Sequence, residues 1–210
     1  VNNFLFNCVS GEGACVIEDN TFKQCGTGCI LICNFNTETN MADVIVDNNF
    51  ISFYHQRPTI HTAFVFGKKL NVIIKNNTVM GEDNSTSYFL NVLQQGTTYP
   101  TNISVINNII LDFQDIYHGV PSEDDDIVIN YCCSSCEIPE EFLPEDYDHN
   151  NIFTDPMFVS EEAEDYHLTQ FRPCIDAGDP DTDGDGSNWE IDEDDCDIDG
   201  SRKDIGCYPY

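Results

Sequence analysis

The chain has 210 residues and a formal charge of −30, from 38 acidic against 8 basic side chains. That balance excludes DNA, RNA and anionic membranes as partners, and no apolar run approaches the roughly eighteen residues a membrane span requires. Eleven cysteines exceed ordinary intracellular usage and point to an oxidising, extracellular compartment.

The acid is unevenly spread. Residues 1–114 hold 9 acidic and 5 basic side chains, whereas residues 115–210 hold 29 and 3. Adaptation to salt would place acid over the whole surface, so the clustering points to a local purpose such as cation binding. The length suits one large domain. The sequence is expected to be either a mature secreted product or a piece cut from something longer, and the piece is favoured because Val1 opens inside a repeat with no capping segment before it.

A repeat organises the first half. Counted on one Asn, its copies are Asn3-Phe4-Leu5, Asn20-Thr21-Phe22, Asn49-Phe50-Ile51, Asn77-Thr78-Val79, Asn108-Ile109-Ile110 and Asn151-Ile152-Phe153, at intervals of 17, 29, 28, 31 and 43 residues. Apolar residues precede the Asn by five and three positions at Val44 and Val46, Val72 and Ile74, and Ile103 and Val105. This is strand alternation running into a bend, at a period that signals a solenoid. Each middle coil holds a further strand upstream: Cys29–Cys33, Thr62–Gly67 and Tyr88–Leu93. No stretch carries a 3.6-residue apolar period, so helix is nearly absent, and the lack of Asn-Gly hairpins favours parallel coils. Asn suits the bend because it tolerates the left-handed backbone region and its amide can bond to the Asn of the coils above and below.

Cysteines recur with the coils. Cys8 and Cys25 each follow their Asn by five residues, and Cys15 and Cys33 are eighteen apart, so both pairs are candidates for inter-coil disulfides. Register is lost between about 114 and 149, which is read as a long coil with insertions. It contains Ser122-Glu123-Asp124-Asp125-Asp126 and Cys132-Cys133-Ser134-Ser135-Cys136; the latter suits disulfides better than a zinc site, since no further ligand follows at the right spacing.

The blocks Ile127–Cys132, Asn151–Val159, Asp165–Leu168, Arg172–Pro180 (Arg-Pro-Cys-Ile-Asp-Ala-Gly-Asp-Pro) and Asp204–Tyr208 (Asp-Ile-Gly-Cys-Tyr) resemble, in that order, the C-terminal end of right-handed parallel β-helix repeat proteins of bacterial surfaces and secretions. The resemblance covers about the last 80 residues. It implies a secreted solenoid whose final coils are closed by this segment. Cys207 stands where a small residue is usual, which raises a disulfide from it to Cys174 or Cys196.

The strongest chemical signal is a duplicated loop. Asp181-Thr-Asp183-Gly-Asp185-Gly-Ser-Asn-Trp-Glu190-Ile and Asp195-Cys-Asp197-Ile-Asp199-Gly-Ser-Arg-Lys-Asp204-Ile share the pattern Asp-x-Asp-x-Asp-Gly-Ser-x-x-acid-Ile. Alternating carboxylates followed by Gly suit Ca2+, which takes six to eight oxygens and needs a sharp turn. Starting at Asp179, the spacing also fits an EF-hand loop, so the register is open, although no flanking helices are evident. The expected metal ligands are Asp179, Asp181, Asp183, Asp185, Glu190, Asp195, Asp197, Asp199 and Asp204.

Catalytic candidates are thinner. The resemblance brings in a fold shared with pectate, alginate and chondroitin lyases and with polysaccharide hydrolases. A lyase needs a cation beside the substrate carboxylate and a base for the α-proton; His55, Arg57, His61 and His118, with Tyr54 and Tyr117, are the candidates. Hydrolase carboxylates would come from Asp43, Asp47, Asp112 and Asp115. Phe53, Tyr54, Tyr99 and Tyr117 are aromatics of the kind that stack on sugars.

The sequence thus predicts an all-β fold, a right-handed parallel β-helix of about six coils over 1–175 with an irregular acidic calcium-loop cap at 176–210. Two functions are carried: an extracellular structural or adhesion module, part of a larger chain or assembly, or a calcium-dependent polysaccharide lyase or hydrolase. The expected partners are extracellular polysaccharide or further copies of the chain, with neither nucleic acid nor membrane insertion.

Overall fold

Alternation of apolar with polar residues, as in Leu70–Lys75 and Thr101–Ile106, gives each segment one apolar face and makes it a strand. The computed structural model describes residues 4–7, 15–25, 28–34, 42–53, 60–67, 70–81, 87–93, 101–119, 125–143, 150–170 and 172–208. They are mostly β-strand with short 3-10 turns, and no helix among them is long and apolar enough to cross a membrane.

Fifteen strands follow one another in triplets. The first is β1 (Phe4–Asn7), β2 (Cys15–Glu18) and β3 (Thr21–Cys25); the second is β4 (Gly28–Asn34), β5 (Ala42–Asp47) and β6 (Phe50–Phe53). Then come β7 (Ile60–Gly67), β8 (Leu70–Lys75) and β9 (Thr78–Met80), and β10 (Ser87–Leu93), β11 (Thr101–Ile106) and β12 (Ile109–Leu111). The fifth is β13 (Asp115–Gly119), β14 (Asp126–Asn130) and β15 (Cys133–Ser134). Each triplet sends one strand to each of three parallel sheets, ordered β1-β4-β7-β10-β13, β14-β11-β8-β5-β2 and β15-β12-β9-β6-β3.

The register stacks like on like. Ile17, Val46, Ile74, Val105 and Ile129 are successive partners across the second sheet, and all are buried. They join Ile30 and Leu90 of the first sheet and Ile51, Val79 and Ile110 of the third in one apolar cluster. Full burial of such a side chain contributes roughly 1.5–3 kcal/mol.

Between the second and third sheets the chain bends, and two adjacent residues share the work. The first takes the left-handed conformation: Asp19, Asn48, Asn76, Asn107 and Tyr131 have φ between 51° and 57°. The second points inward and forms a ladder. Asn49 Nδ2 donates to Ile17 O, Asp47 O and Asn77 Oδ1, while Asn77 Nδ2 donates to Val46 O, Lys75 O and Asn108 Oδ1. Each ladder Oδ1 also accepts the backbone N–H of the rung before it. The left-handed backbone and the inward ladder thus fall on two neighbours, although the first also reaches across coils: Asn107 Nδ2 donates to Asn76 Oδ1 and Asn48 Nδ2 to Asp19 Oδ1.

The span from 114 to 149 is not one long coil that loses register. β13, β14 and β15 form a regular triplet there, and Cys132 occupies the missing rung, 24 residues after Asn108 and 19 before Asn151. Its thiol donates to Val105 O at 3.6 Å and Asn130 O at 3.3 Å, the carbonyls an Asn amide would reach, and its N–H donates to Asn151 Oδ1. Residues 120–124 and 144–149 lie outside the described set.

The C-terminal segment does not close an end. It lies along the outer face of the third sheet, which is why β9 and β12 are buried on both faces while β8 and β11 alternate buried with half-buried. Phe50, Met80, Ile109, Leu111 and Cys133 of that face form a second apolar cluster with Phe158, Leu168, Cys174, Ile205 and Cys207. A two-stranded antiparallel ribbon, β16 (Phe158–Ser160) and β17 (Asp165–Leu168), carries Tyr166, whose ring stacks on Phe50 at 4.5 Å. Glu164, beside the ribbon, pairs with Lys23 of β3.

No disulfide joins Cys15, Cys132, Cys133, Cys136, Cys174, Cys196 or Cys207 to another described cysteine in this structure. Cys15 and Cys33 cannot bridge at equivalent positions, because β2 and β4 belong to different sheets; Cys8 lies outside the described residues. Cys132 and Cys136 each bond to a nearby oxygen, and Cys207 pairs with neither expected partner, its thiol meeting Thr78 while that of Cys196 donates to Trp189 O.

Candidate metal centre

Asn107 joins the repeat to the acidic loops. Its Oδ1 accepts the N–H of Asp179 at 2.6 Å and its carbonyl accepts the N–H of Gly206 at 2.9 Å. Two glycines make this approach possible. A Cβ on Gly178 would stand 2.6 Å from Lys203 O, and one on Gly206, at φ +104°, would stand 2.7 Å from Ile109 Cδ1. The backbone N–H of Cys207 donates to Thr78 Oγ1.

From there the spacing of the aspartates sets the local path. Asp179, Asp183, Asp185 and Asp199 each accept through Oδ1 from the backbone N–H two residues on. The alternation is thus a run of Asx turns, which winds the loop and leaves a second carboxylate oxygen available at each step. Asp181 differs: its Oδ2 accepts from Gly186 N across five residues.

The two copies of the loop do not make two equal sites. Asp181 and Asp183 of the first copy meet Asp195 of the second, with one oxygen of each within 4.8 Å of the others. Asp195 is fully buried, and its Oδ1 accepts both Thr182 N and Thr182 Oγ1 at 2.6 Å. Asp195 Oδ2 and Asp181 Oδ1 are buried without a hydrogen-bond partner. The rest of the second copy is engaged in backbone contacts: Asp197 Oδ2 accepts Asp204 N at 2.7 Å, and Asp204 Oδ1 accepts Asp176 N at 2.8 Å. Asp179, Asp185, Glu190, Asp197, Asp199 and Asp204 lie outside the three-carboxylate group, and no second such group occurs among the described residues.

Crowding and burial mark the neighbours. Burial raises the Asp197 carboxyl to about 6 and raises that of Asp179 as well, whereas the hydrogen bonds from Ser201 lower Asp199. Asp192 is raised to about 6 by the hydrogen bond it shares with Asp194. Lys203 Nζ reaches Thr182 Oγ1 at 3.2 Å and partly offsets this charge. Beside the cluster a groove of about 430 Å³ is lined by Asp19 and Asp47 of the repeat and by Asp197, Lys203 and Asp204, and its acidic walls concentrate cations.

Sequence pattern alone missed Thr182, which holds Asp195 in place, and Asn107, which holds the loop. Neither carries a charge, and their partners lie 13 and 72 residues away.

Of the catalytic candidates, His61 and His118 lie on strands that flank β10 in the first sheet. His118, on β13, is exposed and stacks on Tyr88 at 4.3 Å. Tyr117 points the other way, packs on Phe142 and has its hydroxyl raised to about 12 by burial. His61 lies on β7 in register with Tyr88, and His55 and Arg57 lie outside the described residues. Asp43 and Asp47 of β5 accept from Asn71 and Asn76, so each serves a neighbouring strand rather than a shared site. Phe53 is core, edge-on to Phe113.

The chain matches no protein-family model, no curated protein and no solved structure.

Proposed function

We propose that the chain is an extracellular structural or adhesion module without catalytic activity: a right-handed parallel β-helix clasped along one flank by an acidic segment that holds calcium. The cyclic succession of strands through three parallel sheets supports the helical winding, and the general hand of parallel crossovers supports its sense. The count of eleven cysteines supports the compartment. Extracellular polysaccharide, or further copies of the chain, are the partners this reading implies, and the ring pair of half-buried Tyr88 with exposed His118 offers a stacking surface for a sugar.

The observation that carries the calcium reading is the pair of buried, unpartnered oxygens, Asp195 Oδ2 and Asp181 Oδ1, beside Asp183. Carboxylate oxygens can only accept, and burying them unpaired is costly unless a cation offsets the charge. An all-oxygen donor set of this kind suits Ca2+. Asp181, Asp183 and Asp195 would hold the ion, with Thr182 orienting Asp195, and the ion would tie the two loop copies together.

Trp189, whose backbone N–H donates to Pro180 O and whose carbonyl accepts from the thiol of Cys196, joins the chain beside Asp181 to that beside Asp195 and serves as an optical reporter. Terbium added to the chelator-treated protein is expected to luminesce under tryptophan excitation, to be displaced by calcium and to fail with Asp195→Asn. Calcium is also expected to raise Tm. A Tm indifferent to both chelator and calcium, with no sensitised terbium signal, sinks the calcium reading. Unsaturated product released from any polyuronate, followed in the ultraviolet, would replace the module with a lyase.

A further inference from the structure

The Cys132-Cys133 doublet is split by the alternation of its strand. Cys132 enters the ladder, while Cys133 faces outward into the cluster shared with the C-terminal segment. There it meets Cys174 in the same buried cluster, sulfur beside sulfur; both residues are fully buried, and the Cys133 thiol also donates to Thr154 O at 3.2 Å. Their backbones are fixed through one anchor. Cys133 N donates to Asn108 O and Gly206 N to Asn107 O, while Ile205 N, next along from Gly206, donates to Cys174 O. The other described thiols near this region are engaged elsewhere, Cys136 with Ser134, Cys196 with Trp189 O and Cys207 with Thr78.

We propose that Cys133 and Cys174 are the two halves of a disulfide that staples the C-terminal segment to the third sheet. Each thiol gives up one proton and one electron as the S–S bond forms, and both electrons pass to an external disulfide, which is reduced to two thiols. With both sulfurs fully buried, an oxidant reaches them only before the segment docks, so the bond belongs to folding and not to later regulation. The staple closes a loop of about forty residues, a length at which a cross-link restricts the unfolded chain strongly.

The test is refolding of the reduced chain in a buffer of oxidised and reduced glutathione, followed by acid quenching, alkylation and digestion without reductant. Peptides joined through Cys133 and Cys174 are expected, with fragmentation between residues 132 and 133 separating the two candidates. The oxidised protein should melt on the order of 10 °C above the same chain kept reduced. The same glutathione buffer added to the folded, reduced protein should leave both thiols unmodified over hours. Cys174→Ala refolded under oxidising conditions should lose the stabilisation and keep Cys133 as a thiol. Cys174 joined to Cys207 or Cys196, or no cross-link to Cys133 at all, overturns the proposal. So does rapid oxidation of the pair in the folded protein, which would show that they are accessible.

Discussion

The asparagine ladder and the acidic segment both bury polar side chains, and they meet the cost in opposite ways. A carboxamide donates and accepts, so an Asn in each of the second, third and fourth triplets passes hydrogen bonds along the stack, each Oδ1 taking the rung before it and each Nδ2 reaching two carbonyls and, at Asn49 and Asn77, the next Oδ1. A carboxylate only accepts. Its loops therefore consume backbone N–H groups in Asx turns, and where these run out, at Asp181 and Asp195, oxygens stay unpartnered. The ladder is self-sufficient, while the acidic segment keeps unpartnered oxygens, which the proposed calcium ion would satisfy. Where the two regions touch, at Asn107, the neutral region lends its amide oxygen and carbonyl to the charged one.

The largest effect should come from the ladder. Asn77→Leu leaves the Asn49 N–H unpaired in the interior and takes a donor from Val46 O and from Lys75 O, and the expected loss is about 4 kcal/mol in denaturant unfolding. A loss under about 1 kcal/mol would show that the ladder decorates the fold instead of holding it. Asp195→Asn tests the other side. At calcium a hundredfold above its Kd the native chain should gain about 2.7 kcal/mol over its chelated state, and the variant nothing. In chelator the variant should be at least as stable as the native chain, because a buried charge has been removed.

Cys132→Asn should complete the column and stabilise by about 1 kcal/mol, since an amide is a stronger donor to Val105 O and Asn130 O than a thiol and can pair with Asn108. Destabilisation would mean that the rung is too narrow for Asn. The smallest effect is a pH slope from Asp197. Its folded pKa of about 6 stands above the ordinary 3.8, so the folded protein keeps this proton where the unfolded chain has released it. The stability tied to the protonated form is present below about pH 4 and is lost as pH rises to about 6. Melts in chelator across that window should fall with pH by less than about 1 kcal/mol, once solvent screening is allowed for, and Asp197→Asn should flatten that part of the slope.

Much of the repeat was legible because its signal is local. Val44, Val72 and Ile103 mark the inward positions of adjacent strands, and the paired Asn marks the bend. The rung at Cys132 was not legible, since nothing in a Cys-Cys doublet says that one thiol will stand in for an amide while the other faces outward. Nor was the division of labour at the bend, where Asp19 and Tyr131 take the same left-handed conformation as Asn48. In the acidic loops the spacing pointed to oxygen ligands but not to their grouping. Asp195 and Asp181 occupy equivalent positions in the duplicated pattern, yet they share one site because Thr182 binds the second copy to the first.

By itself the sequence determined the strand period, the stacking of apolar columns and the acidity of the C-terminal end, all of which follow from residue types at fixed short spacings. Tertiary structure alone decided that the C-terminal segment lies along the flank of the third sheet, that the duplicated loops merge into one carboxylate cluster, and that Cys133 meets Cys174. Those outcomes depend on contacts between residues far apart in the chain, such as Lys23 with Glu164 or Asn107 with Asp179, and on two glycines that let one backbone lie against another. A local pattern sets which faces must be buried, and only the packed chain decides what buries them.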